Sequence, residues 1–176
     1  MTGVALTREA IEALFRALDA ELARSSVIGE VYLVGGAVLC LALQARPATL
    51  HVDAHFEPAG AVRRAAARVA VEHGVREDWL NDAVKGFLSP HGEYQPFLEL
   101  SNLRVLVARP EYLLAMKCLA FRLGPEFHDE ADVRFLLRYL NIERYDAAVD
   151  VITRYYPRER FPQKAFYALD EILRGG

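Results

Sequence analysis

The sequence is short of the residues that build covalent frameworks. Among 176 residues there are only two cysteines, Cys40 and Cys118. Both sit in apolar surroundings and neither belongs to a C-x-x-C pair, so buried thiols in a reducing compartment are expected rather than a disulfide scaffold. No apolar run approaches transmembrane length. The stretch MTGVALTREAIEALF carries Arg8, Glu9 and Glu12 where a signal peptide would need an apolar core. An excess of positive charge is missing too. Lys and Arg number 21 against 24 Asp and Glu, a net charge of −3, so there is no global basic field to drive nucleic-acid binding. There is no internal repeat, low-complexity tract or long linker. These absences predict a cytoplasmic protein with no membrane partner.

What is present suits a globular chain. Hydrophobic residues make up 53% and charged residues 26%, and this length can bury a core without staples. Residues 6–23 place Ile11, Leu14, Phe15, Leu18 and Leu22 on one helical face, with Thr7 as N-cap. EVYLV (30–34) reads as a buried strand that ends at Gly35-Gly36, and AVLCLALQA reads as a helix. TLHVDAHF (49–56) alternates as a strand. Residues 58–74 read as a helix with Gly74 just past its end. FLEL and NLRVLVA read as two more strands. Pro110 then opens a helix over EYLLAMKCLAFRL. Three further helices follow, in DEADVRFLLRYL, ERYDAAVDVITRYY and QKAFYALDEILR. The plan is an α+β half over residues 1–108 and a helical half over residues 109–176, predicted to pack as one unit.

Several groups carry chemistry. Gly35-Gly36 lets the backbone turn tightly from strand to helix and lets a phosphate approach the main chain; a plain turn is the alternative. HVDAH puts His51, Asp53 and His55 on one strand face, with Thr49 beside them. Side chains at i and i+2 lie about 6.5–7 Å apart. Two carboxylates at that spacing can hold the divalent cations of phosphoryl or nucleotidyl transfer. Imidazole suits Zn, Cu, Fe or Ni and is a poor Mg ligand. The stretch is therefore a transition-metal site, an altered carboxylate pair, or a polar outer face. Glu99 is the one later strand acid able to turn toward the Asp53 face. Lys117 is a single charge in an apolar helix, either snorkelling or reaching for phosphate or carboxylate. Asp129 and Asp132 open the next helix at positions that favour capping, with Arg122 and His128 as candidate ionic partners.

In order, these motifs resemble a known family. VYLVGGAVLCLALQARPATLHVDAHF is similar to the core of nucleotidyltransferases related to DNA polymerase β: strand, Gly-Gly or Gly-Ser, helix, then Arg-x-Thr-x-Asp-x-Asp, where this chain has the glycine pair Gly35-Gly36 and an R-x-x-T lead-in, Arg46 and Thr49. Pro110, Leu113-Leu114, Lys117, Asp129 and Asp132 resemble the helical half of its bacterial abortive-infection branch, which includes toxins of toxin–antitoxin pairs. DWLNDAVKGFL (78–88) looks like a feature of a subgroup of that branch. The resemblance implies a nucleotidyltransferase-like small mixed sheet with flanking helices, followed by a C-terminal helical bundle. It implies NTP binding with Mg or Mn, a triphosphate at Gly35, Gly36, Arg46 and Thr49, and a metal-binding carboxylate at Asp53. It casts Glu99 as third acid, Lys117 as a catalytic cation, and Asp129 and Asp132 as supporting groups. It also implies an RNA or protein acceptor and an antitoxin or other protein partner. His51 stands where the first metal-binding Asp belongs. A neutral imidazole supplies one nitrogen, no charge and no bridging capacity. Two readings follow: a metal-dependent nucleotidyltransferase, or a catalytically inactive protein of the same fold that binds a nucleotide or a partner. A metallo-hydrolase built on His51, Asp53 and His55 is a third.

Overall fold

A computed structural model describes residues 3–175. A two-residue strand β1 (Leu6–Thr7) leads into α1 (Arg8–Arg24), β2 (Gly29–Val34), α2 (Gly36–Leu41), β3 (Ala48–Thr49) and β4 (Val52–Glu57). Next come α3 (Ala59–His73), β5 (Leu80–Asn81), β6 (Tyr94–Glu99) and β7 (Leu103–Ala108). The chain then turns helical: α4 (Pro110–Leu119), α5 (Asp129–Tyr139), α6 (Tyr145–Ile152) and α7 (Gln163–Arg174). The architecture is α+β with a mixed sheet, and none of the described helices is long and apolar enough to cross a membrane.

The chain divides into two compact units. The first runs up to Gly86 and resumes over Tyr94–Ala108. Its five-stranded sheet has the order β5-β4-β2-β7-β6. Pairings β2–β7 and β4–β5 are parallel, while β2–β4 and β6–β7 are antiparallel. Because side chains alternate across a strand, Val31, Leu33, Val52, Ala54, Phe56, Leu103, Val105 and Val107 share one face, and all are buried. Helices α1 and α3 cover it: a Cβ on Gly29 would meet Leu22 and Val62, one from each helix. Thr7 caps α1 by accepting from the Ala10 N–H at 3.2 Å, and Gly74 ends α3 at φ +65°. Trp79 is buried against Phe15, ring centroids 6.1 Å apart, and its indole N–H donates to the Ala66 carbonyl at 3.0 Å.

The alternating run 49–56 is not one strand. Thr49 pairs with Leu6 of β1, whereas the Val52 N–H donates to the Trp79 carbonyl at 2.7 Å and β4 runs on beside β5. Competing partners on either side break the ladder at Leu50 and His51. Strands β1 and β5, two residues each, are too short to show an alternation. Pro96 sits in edge strand β6, where a missing N–H is tolerated.

The second unit comprises Phe87–Glu93 and the chain from Arg109 onward. Pro110 opens α4, and Tyr112, Leu113, Leu114, Ala115 and Cys118 are buried. Residues 87–93 are tied to the helices by hydrogen bonds. The Ser89 N–H donates to the Tyr112 hydroxyl at 2.9 Å, the Ser89 hydroxyl to the Tyr155 carbonyl, and the Tyr155 hydroxyl to Glu93 at 2.6 Å. Helix α4 ends at Leu119, earlier than its apolar pattern suggests, because the Arg122 N–H donates to Asp129 at 3.0 Å. Both cysteines are free and buried, and burial pushes the Cys118 thiol up to about 12, which makes it chemically quiet.

Phe15→Ala opens a cavity beside Trp79 and is expected to cost about 3–5 kcal/mol. Trp79 is the single tryptophan, so its fluorescence during urea unfolding reads that loss directly; an unchanged midpoint would contradict this packing.

Candidate functional site

The β2-to-α2 turn organises the site. Gly35 has φ +71° and ψ −149°, a backbone region close to glycine-only. A Cβ there would also lie 3.3 Å from Asp53 Oδ2. At Gly36 a Cβ would meet Arg46 Nη1 at 2.8 Å and Thr49 Oγ1 at 3.2 Å. Two bare α-carbons therefore let three side chains from two later segments close on the turn. Asp53 reaches it because β4 pairs antiparallel with β2, Asp53 opposite Val34. Arg46 and Thr49 reach it because the chain doubles back through β3.

His51 and Asp53 are joined. Nδ1 of His51 lies 3.0 Å from Asp53 Oδ1, and Thr49 Oγ1 donates to the His51 carbonyl at 3.2 Å. The hydrogen bond to Asp53 holds the His51 pKa above its ordinary value, against partial desolvation. The pair places a latent imidazolium beside the carboxylate. A cavity of about 560 Å³, lined by Arg8, Glu9, Cys40, Gln44 and Arg46, adjoins the turn through Arg46.

Sequence reasoning overlooked the neighbour of Asp53 on its other side. Asn81 of β5 is its register partner, and Asn81 Oδ1 accepts the Ala83 N–H at 2.8 Å. Next to it Asp82 holds Lys85 at 2.8 Å and also pairs with Arg63; the Lys85 hydrogen bond, with help from Arg63, keeps the Asp82 carboxyl below its ordinary value. The available signal was the 78–88 stretch, whose order Asn-Asp-x-x-Lys carries this cluster.

Glu99 is not brought to Asp53. It pairs with Arg104, which pairs with Glu30, which pairs with Glu57 at the opposite end of β4. Three strand spacings and four residues along separate the two acids, roughly 20 Å. Glu99 instead faces Arg104 at 3.9 Å. The assignment of Glu99 as third acid and metal ligand is therefore corrected by strand order. His55 turns to Glu57, Nε2 to Oε1 3.0 Å, and its ring lies 5.8 Å from that of Tyr32. Among the described residues no group of three or more His, Cys, Asp or Glu side chains is gathered in a way that could hold a metal ion. The donors around Asp53 do not fit the paired carboxylates of a two-metal centre. One Asp53 oxygen is engaged by an imidazole, and the adjacent side chain is an amide.

Lys117, Asp129 and Asp132 meet inside the second unit. Lys117 Nζ lies 2.8 Å from Asp132 and 3.5 Å from Asp129, and Arg122 Nε lies 2.9 Å from Asp129. Both carboxylates are buried. They do not cap α5, whose N-cap is His128. They neutralise Lys117 and stitch α4 to α5. Burial alone would raise the Asp129 carboxyl; Arg122 and Lys117 outweigh it and hold the group below its ordinary value.

No protein-family model matches this chain, no curated protein matches it, and no solved structure matches it.

Gly35→Ala forces a Cβ into the glycine-only region and toward Asp53; a loss of about 1–3 kcal/mol is expected in thermal or urea unfolding. For Asp129, the lowered folded pKa means a stabilising contribution that is full above about pH 4 and lost as pH falls through the folded value. Acid unfolding should therefore weaken the helical unit, and Asp129→Asn should flatten that dependence while lowering stability at pH 7. A parallel acid profile for wild type and variant would contradict the assignment. Lys117→Met leaves two buried carboxylates short of their cation and should cost about 3 kcal/mol at pH 7 by urea unfolding.

Proposed function

We propose that this chain is a nucleotidyltransferase-like protein that binds the phosphate end of a nucleoside triphosphate and acts through a protein partner, such as an antitoxin, rather than by nucleotide transfer. The observation that carries this reading is the convergence of Gly35, Gly36, Arg46 and Thr49 beside Asp53. A guanidinium offers paired donors that match phosphate oxygens. The bare Gly36 lets that guanidinium and Thr49 close on the main chain of the turn. The same site lacks the carboxylates that two-metal transfer requires, and His51 engages the one present.

The second reading is transfer of a nucleotide from an NTP to an RNA or protein hydroxyl with Mg or Mn, as a toxin would do. The turn of Asp53 Oδ2 toward Gly35 supports it, since that oxygen is not the one bonded to His51. Calorimetric titration with ATP, GTP, CTP and UTP, with and without Mg or Mn, decides the binding claim. Micromolar affinity for at least one is expected, weakened about tenfold by Arg46→Ala. No binding of any NTP would sink it. Incubation with labelled NTPs and total RNA should give no incorporation. Incorporation that rises in His51→Asp would establish the transferase reading instead.

A further inference from the structure

The sheet of the first unit has a second face, and its chemistry differs from that of the helix-covered one. Register places Glu57 and His55 of β4, Glu30 and Tyr32 of β2, Arg104 of β7, and Tyr94 and Glu99 of β6 on this side. Tyr32 and Tyr94 form an edge-to-face pair with centroids 5.1 Å apart, and Tyr32 lies beside His55. Around these rings stand three carboxylates and one guanidinium. Glu57 and Glu99 are exposed, with 65% and 77% of their side chains accessible. Arg104 lies between Glu30 at 3.6 Å and Glu99 at 3.9 Å and balances one of them.

We infer that this face docks a cationic extended segment of a protein partner, its arginine or lysine side chains lying over Tyr32 and Tyr94 and between Glu30, Glu57 and Glu99. Aromatic faces attract such cations, and the surplus of two negative charges complements them. The same surplus opposes a polyanion, so the face does not suit RNA. Burial raises the Tyr32 phenol above its ordinary value, and the Glu30 hydrogen bond and the charges of Glu30 and Glu57 add to it. The inference stands apart from the phosphate site, and an Arg46→Ala protein that has lost nucleotide binding should keep it.

The test uses the full chain and fluorescence anisotropy at low salt. Three labelled probes are compared: a short peptide with arginine at alternate positions, its glutamate counterpart, and a single-stranded RNA of similar length. The arginine peptide should bind and the other two should not. Binding should weaken about fivefold in the double variant Glu57→Gln, Glu99→Gln and about threefold in Tyr94→Leu. Amide shifts on peptide addition should fall on Tyr32, Glu57 and Arg104. The glutamine changes are exposed and conservative, and a matching thermal melt confirms the fold. Peptide binding unaffected by the double variant, equal binding of the glutamate peptide, or RNA binding that shifts the same residues would overturn the proposal.

Discussion

The first unit depends on a close approach that only glycine permits. At Gly35 the backbone adopts a conformation that side chains avoid, and at Gly36 the space of a methyl group is taken by Arg46 and Thr49. Those two facts set the direction of α2, the path of the chain through β3, and the place where Asp53 meets the turn. Antiparallel pairing of β2 with β4 does the rest, since Val34 and Asp53 are register partners. The site is thus a by-product of a turn geometry. Its components need no contact with one another until the strands pair.

The electrostatics of the pair His51–Asp53 decide what the turn can hold. Two aspartates at these positions would repel each other and call for a cation. An imidazole beside one aspartate inverts that demand, because the hydrogen bond between Nδ1 and Oδ1 favours the protonated ring. Arg46 closes on the same turn, and under the proposed reading the substitution replaces a demand for cations with a site for phosphate.

Much of the framework was legible in the sequence, for identifiable reasons. Thr7, Gly74 and Pro110 mark helix boundaries through their own local chemistry, so they were visible without tertiary knowledge. The period-two pattern located β4 and β7 but not the break at Leu50 and His51, which arises from the distant partners β1 and β5. The grouping of Gly35, Gly36, Arg46, Thr49 and Asp53 followed motif order. Strand order did not, and it is strand order that carries Glu99 away and brings Asn81 in. A residue's face can be read from alternation; its neighbour across the sheet cannot.

Asp129 and Asp132 show the same limit from the helical side. At the start of a helix an aspartate has two ways to lower its energy: accept the free N–H groups of its own first turn, or reach a cation elsewhere. The sequence shows only the first. Here α5 begins at Asp129 itself, with His128 at the cap, and the carboxylates turn inward to Lys117 and Arg122. Once buried, each carboxylate must keep its partner, because an unpaired charge in the interior costs far more than a lost cap. Lys117 is accordingly committed to Asp129 and Asp132, and its ammonium is a structural cation of the helical unit. Under the proposed reading a ligand's phosphate is met at the first unit's turn, where Arg46 closes on Gly36.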